Sequence, residues 1–321
     1  MTASVPSIID VHCHIASELF FPRSFLDGVA DNMAATLQSR GLVPDRAKIS
    51  RLYSSVMQDP LCDDLIREMD EAGIQESVLQ LADFTFALRD SRITIAEMVD
   101  HHKQVVDRHP GRLRVFVGVD PRWGQDGLAL FEKAIHEYRF HGLKLYPPCG
   151  YTPADRALYP YYEICQQHGL TVLTHVGATS PVLSFEEAQP LYIDRPARDF
   201  ARVNFILAHG SVQYQEECAM LAINRPNVFI DVSGFAMTDV SLMRGVFQRG
   251  INHKILFGTD WPIFRLQGSQ RDLVARLTGD SPAMPESMSE RDRQMFFAGN
   301  AARLLSSARA QESRPAAISA S

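Results

Sequence analysis

Eight short apolar runs, separated by stretches of helical periodicity, constrain this chain more than any other feature of its sequence. They are SIIDVHCH ending at His14, SVLQLADF at 77–84, LRVFVGVDP at 113–121, GLKLYPP at 142–148, LTVLTHVG at 170–177, VNFILAHG at 203–210, PNVFIDVSG at 226–234 and HKILFGTDWP at 253–262. Between them the spacing predicts helices over 63–72, 91–108, 126–139, 155–169, 213–224 and 239–249, a Pro-interrupted helical stretch before the sixth run, and a last helix over 289–305. Strands that alternate with helices form parallel sheets, because parallel neighbours need a long crossover. Eight such units predict a closed (β/α)8 barrel of the α/β class. An open doubly wound sheet is disfavoured, since no Gly-rich phosphate loop follows an early strand.

The chain of 321 residues suits one such domain over 1–305. One connection is far too long for a plain loop: 15–60, which carries Phe20, Phe21, Phe25 and Leu26 and is too apolar for disorder. It is expected to be a partly helical insertion over the barrel mouth. The small, polar tail 306–321 is expected to be disordered. A net charge of -6 without basic runs gives no footprint for nucleic acid or an anionic membrane surface. The expected partner is a small-molecule substrate, with a homodimer the only self-association considered. MTASVPS leads directly into an apolar strand, and no apolar run reaches about 18 residues, so a soluble cytoplasmic protein is expected. The five cysteines, an odd number in apolar surroundings, read as buried hydrophobes rather than disulfides or thiolate ligands.

The polar residues with chemistry fall where strands end. His12 and His14 close the first run, His175 the fifth, His209 the sixth and Asp260 the eighth. In barrels of this kind the C-terminal strand ends carry the catalytic groups. Strand alternation predicts Asp10, His12 and His14 on one face and Ile9, Val11 and Cys13 on the other. By the same parity Leu173 and His175 share a face, as do Leu256, Gly258 and Asp260, and Lys144 and Tyr146 point inward. Alone, a His-x-His pair is more often two satisfied core histidines; the strand-end set changes that reading.

The motifs IDVHCHI, GLKLYPP, LTHVG, ILAHG, NVFIDVSG, ILFGTDWP and GNAARLL together resemble the amidohydrolase superfamily of metal-dependent TIM-barrel enzymes, in the branch that includes aminocarboxymuconate semialdehyde decarboxylase. The resemblance covers Ile8 to Leu305. It implies His12, His14, His175 and Asp260 as ligands of one divalent ion, with Asp260 also a general base and His209 the acid/base or electrophile. Imidazoles with a carboxylate suit Zn²⁺, and Mn²⁺, Fe²⁺ or Co²⁺ also fit. In binuclear relatives a strand-four lysine is carboxylated and bridges two metals; the mononuclear form is expected here, with Lys144 an unmodified amine. Tyr146 and Arg122 are weaker substrate-binding candidates, Arg122 for a substrate carboxylate. Asp10 is expected to orient an imidazole from behind. Asp231 and Ser233 read as inward polar groups without an assigned role, and Trp261 and Phe264 as either pocket wall or core packing. The first functional expectation is hydrolysis of a C–N or C–O bond in an amide, lactam, lactone or ester. The alternatives are nonoxidative decarboxylation of an unsaturated or aromatic acid, and an inactive barrel used for binding.

Overall fold

The computed structural model describes residues 7–210, 212–234, 243–278, 284–285 and 288–312. Eight parallel strands follow one another in chain order: β1 (Ile8–Cys13), β2 (Ile74–Gln80), β3 (Leu113–Gly118), β4 (Gly142–Leu145), β5 (Thr171–His175), β6 (Asn204–Ala208), β7 (Val228–Asp231) and β8 (Ile255–Leu256). β1 returns to the β8 segment and closes the barrel: Val11 N–H donates to Phe257 O at 3.0 Å, Asp260 N–H to His12 O at 2.8 Å and His14 N–H to Trp261 O at 2.7 Å. The helices are α1 (Arg23–Ser39), α2 (Arg46–Val56), α3 (Asp63–Ala72), α4 (Ile95–Arg108), α5 (Gly124–His136), α6 (Tyr159–His168), α7 (Asp194–Asp199), α8 (Gln215–Asn224), α9 (Met243–Phe247), α10 (Gln270–Thr278), α11 (Glu290–Gln294) and α12 (Asn300–Glu312). No described helix is long and apolar enough to cross a membrane.

Local chemistry explains these boundaries. α3 buries Leu65, Met69 and Ala72 at helical spacing, starts with Asp63 and Asp64 at the positive end of its dipole, and stops at Gly73, φ 74°. Because Gly73 takes the left-handed turn itself, β2 begins at once, at Ile74 rather than at the expected 77, and ends at Gln80. The β8 ladder is much shorter than expected over 253–262. Asn252–Lys254 form a 3₁₀ turn before it, and beyond Leu256 the chain turns its hydrogen bonds toward β1. The last helix is interrupted by a π-turn at Met295–Gly299. It then runs on to Glu312, so helix replaces the expected disorder over 306–312; Ser306 to Glu312 contains no Gly or Pro to stop it. Residues 313–321 of that tail, and 239–242 of the predicted helix before β8, lie outside the described residues.

Strand parity separates two cores. Val78, Phe116, Leu173, Ile206, Phe229 and Leu256 fill the barrel interior, plugged from below by Ala301, Leu304 and Leu305 of α12. Leu79, Val115, Leu143, Val172, Leu207 and Ile230 face the surrounding helices. Gly142 admits Phe116 to the interior: a Cβ there would lie 2.4 Å from Thr171 O and 2.6 Å from Phe116 Cδ1.

β1 breaks the parity. Ile9 and Val11 belong to the inner core, Cys13 belongs to the outer one, and the register with β2 shifts between Asp10 and Cys13. Such a bulge places successive residues on one side and re-aims the next side chain. The expected grouping of Asp10 with His12 and His14 is therefore corrected. Asp10 turns to the β8 loop and α10, accepting from Thr259 Oγ1 at 2.6 Å and Gln270 Nε2 at 3.4 Å.

Candidate functional site

Three backbone features aim the strand-end donors. The bulge delivers His12 and then His14, while His209 and Asp260 both adopt φ 57°. That left-handed conformation is uncommon outside glycine, costs free energy and is concentrated at functional sites. Each imidazole of β1 is fixed by its far nitrogen. His12 Nδ1 lies 2.9 Å from Asp231 Oδ2, and His14 Nδ1 donates to Gln80 O at 2.7 Å. Both are thereby left with a free Nε2 lone pair. These Nε2 atoms sit 3.6 Å and 3.3 Å from Asp260 Oδ1. Donors held about 2.1 Å from a common ion lie roughly 3 to 3.5 Å apart, so the spacing of the trio is close to what a divalent cation requires. His12 Nε2 and His175 Nε2 are buried and meet no hydrogen-bond partner among the described residues, as expected of atoms reserved for a ligand. The His175 ring stands 4.9 Å from that of His209, which is 4.7 Å from His12. The structure thus gathers all five predicted strand-end residues at one mouth of the barrel, with His12, His14 and Asp260 forming the tight donor set.

Electrostatics suit the same chemistry. Burial, with Lys144 and His209 nearby, lowers the pKa of His175 well below the usual histidine range. Burial also lowers His209, to about 4. For His12, burial and Lys144 outweigh the pull of Asp231 and Asp260. These three imidazoles are therefore neutral at neutral pH and can act as ligands or bases. Burial alone would raise Asp260, yet the imidazoles of His14, His209 and His12 around it hold it well below the ordinary carboxylate range. Asp231 is likewise buried but held low by His12, His209 and Ser233.

Asp231 is the residue that the sequence left without a role. One carboxylate oxygen takes His12 Nδ1; the other accepts from the His209 backbone at 3.1 Å and from Ser233 Oγ at 2.5 Å. Ser233 Oγ in turn lies 2.8 Å from His209 Nδ1. The task of orienting an imidazole, expected of Asp10, is performed by Asp231. Parity could have found it: Phe229 faces inward, so Asp231 two residues on does too. Asp10 ties β1 to the β8 loop, and burial raises its pKa to about 7.

A cavity of ≈ 310 Å³ opens above the donors. His14, His175, His209, Asp260, Lys144 and Tyr146 line its floor, and Phe21, Phe25, Leu26, Val29, Tyr53 and Met57 of the 15–60 insertion line its roof. Lys144 is 1% exposed, and its Nζ has no partner among the described residues. Burial depresses its pKa to about 8, against the pull of Asp231 and Asp260. Tyr146 bonds Thr179 Oγ1 at 2.5 Å. Arg122 is not brought into this cavity. It chelates Asp120 through Nε at 2.8 Å and a terminal nitrogen at 2.6 Å, stacks on Phe86, and lines a separate shallow depression. Its guanidinium is consumed by a neighbour two residues away, which corrects its expected contact with substrate.

The amidohydrolase family model matches residues 9–306. No curated protein matches the sequence. Among solved structures, an uncharacterized TIM-barrel protein from Bordetella bronchiseptica superposes with TM-score 0.66 at 19% identity, covering 94% of this chain and 99% of that one. A dihydroxybenzoic acid decarboxylase from Polaromonas sp. JS666, solved with bound manganese and the inhibitor 2-nitroresorcinol, gives 0.64 at 20% identity over 97% and 100%. A 4-oxalomesaconate hydratase from Rhodopseudomonas palustris gives 0.60 at 16% identity over 95% and 97%. At these identities the superpositions establish the TIM-barrel fold, and the family match over nearly the whole chain establishes the lineage: this protein belongs to the amidohydrolase superfamily.

Proposed function

We propose that the protein is a metal-dependent, nonoxidative decarboxylase of an aromatic or unsaturated carboxylic acid. The observation that carries this reading is Lys144: a buried amine whose Nζ has no hydrogen-bond partner among the described residues, beside a donor set that would add a divalent cation. A buried charge that is not hydrogen-bonded is costly even with Asp231 and Asp260 in its surroundings, and a divalent ion nearby would make it more so. An acid brings the missing negative charge, whereas a neutral amide, lactone or ester does not. The decarboxylases among the solved relatives support the same choice. Hydrolysis, the first expectation, therefore gives way to the second. The intact donor set argues against an inactive barrel.

His12, His14, His175 and Asp260 would hold the ion, zinc by ligand preference or manganese as in the Polaromonas relative. When bound it supplies a Lewis acid that polarises a substrate oxygen. Lys144 Nζ anchors the carboxylate. Tyr146 and Phe84, in edge contact at 4.8 Å between centroids, flank the ring. A proton from solvent, passed by way of Asp260, goes to the carbon that bears the carboxylate, while His209, whose Nδ1 donates to Ser233 Oγ, presents the lone pair of Nε2 to a substrate hydroxyl and orients the ring. The C–C bond then breaks, its electron pair returns to the ring and CO₂ leaves, so R–COO⁻ and H⁺ become R–H and CO₂. The roof excludes bulk water from the reacting carbon.

A panel of hydroxylated aromatic acids with matched esters and lactones, offered to Mn²⁺- or Zn²⁺-loaded protein, tests this. CO₂ released in step with the decarboxylated product is expected. Turnover of the esters or lactones without CO₂ would restore the hydrolytic reading.

A further inference from the structure

The floor does not account for the roof. Every roof side chain that faces the cavity is apolar or aromatic, and Leu26 and Val29 remain only partly buried with the cavity before them. The roof is also seated. Ser180 Oγ donates to Phe25 O at 2.8 Å. Gly28 permits that approach, since a Cβ there would lie 2.7 Å from Ser180 Oγ and 2.8 Å from Val182 Cγ1. Ser24 donates twice to Asp90, both at 2.7 Å, and Arg46 of α2 ties to Asp27 and Asp31 of α1. The base of the insertion is pinched by a two-residue antiparallel ladder, Ala16–Ser17 against Gln58–Asp59. Among the described residues that line the cavity, Lys144 is the single Lys or Arg, so the binding space has one anion-holding end and one apolar end. An acid consisting only of a carboxylate and a hydroxylated ring would satisfy the first and leave the second against water.

We infer that the acid taken by this site carries a bulky apolar substituent, alkyl or aryl, on the side remote from its carboxylate, and that the α1–α2 roof selects for it. The inference rests on the acid-binding reading of the floor. Burial of each added methylene raises affinity roughly fourfold, until the cavity is filled.

Calorimetric titration of the full-length, Mn²⁺-loaded protein with 2-hydroxybenzoic acids bearing hydrogen, methyl, propyl, pentyl or phenyl at position 4 tests it, with CO₂ release followed in parallel. Dissociation constants that fall roughly fourfold per methylene are expected, and Val29→Asp, checked for folding by circular dichroism, should flatten the series. The wild-type series decides even if that variant misfolds. A flat or rising series alongside CO₂ release overturns the roof inference and leaves the decarboxylase reading in place. A falling series without CO₂ upholds the roof and removes the decarboxylase. Absence of binding by every member contradicts both.

Discussion

The two ends of the cavity are assembled in opposite ways. On the floor, His12, His14, His175, His209 and Asp260 arrive from four separate strand ends, and three of the imidazoles, His12, His14 and His209, are fixed by directional hydrogen bonds to Asp231, Gln80 and Ser233. On the roof, all six facing side chains come from one continuous insertion and are held by apolar packing with a few polar ties. Directional fixation tolerates little displacement, so the floor is expected to respond to substitution in rate and metal affinity. Apolar packing is graded, so the roof is expected to respond in stability and substrate preference.

The sharpest way to break this contrast is on the floor. Asp260→Asn should lower kcat on the order of 10²- to 10⁴-fold while KM changes far less, because it removes a proton carrier and a charged donor but little cavity wall. His209→Ala should fall in the same range and keep its metal. Steady-state kinetics with metal analysis reads both, and loss of metal from His209→Ala with an unchanged residual rate would reassign that residue. Next in size is Asp231→Asn. It preserves shape but disturbs the tautomer of His12, and a titration should show metal affinity weakened about 10- to 100-fold.

The floor was legible in part. Alternation of apolar runs with helices revealed the barrel, and Gly177, Gly210 and Pro262 marked the strand ends where His175, His209 and Asp260 sit. Parity worked on β4 and β5, where Lys144, Tyr146 and His175 face the cavity as expected. It failed on β1, where the register shift between Asp10 and Cys13 leaves no trace in periodicity. His12 and His14 reach the site by way of that bulge, and Asp10 leaves it. Arg122 shows a second limit: a charged residue at a strand end says nothing about which neighbour has already claimed it, and Asp120 had. On the roof, the aromatic content of 15–60 excluded disorder, but which side chains face the cavity depends on how α1 docks at Ser180.

The third prediction concerns His102 of α4, against which Phe20 at the base of the insertion packs with ring centroids 5.4 Å apart. Burial, only partly offset by the Met98 carbonyl, lowers the His102 pKa to about 3. Its folded pKa thus lies below its unfolded value near 6.5, and the unfolded chain takes up the proton first as pH falls. Stability is therefore complete above pH 6.5 and is lost progressively toward pH 3. Between pH 7 and pH 5 the wild type should lose about 2 kcal/mol through this residue that His102→Leu does not lose. Urea unfolding at the two pH values checks this, and equal losses would refute it. The smallest expected effect is that of Ser180→Ala, which leaves the Phe25 carbonyl without its donor and should cost about 1 kcal/mol in the same assay. It should weaken binding of the longer 4-alkyl acids more than that of 2-hydroxybenzoic acid itself.

The most direct test of the floor is the metal stoichiometry of the protein, measured by calorimetric titration of chelator-treated chain with Mn²⁺ in the presence and absence of bicarbonate. Three imidazoles and one carboxylate around a single ion, with Lys144 an unmodified amine that awaits substrate, predict one equivalent per chain, unaffected by bicarbonate and retained in Lys144→Ala. Two equivalents, appearing with bicarbonate and lost in Lys144→Ala, would mean that Lys144 bridges two metals as a carbamate and would contradict the anchoring role given to it here.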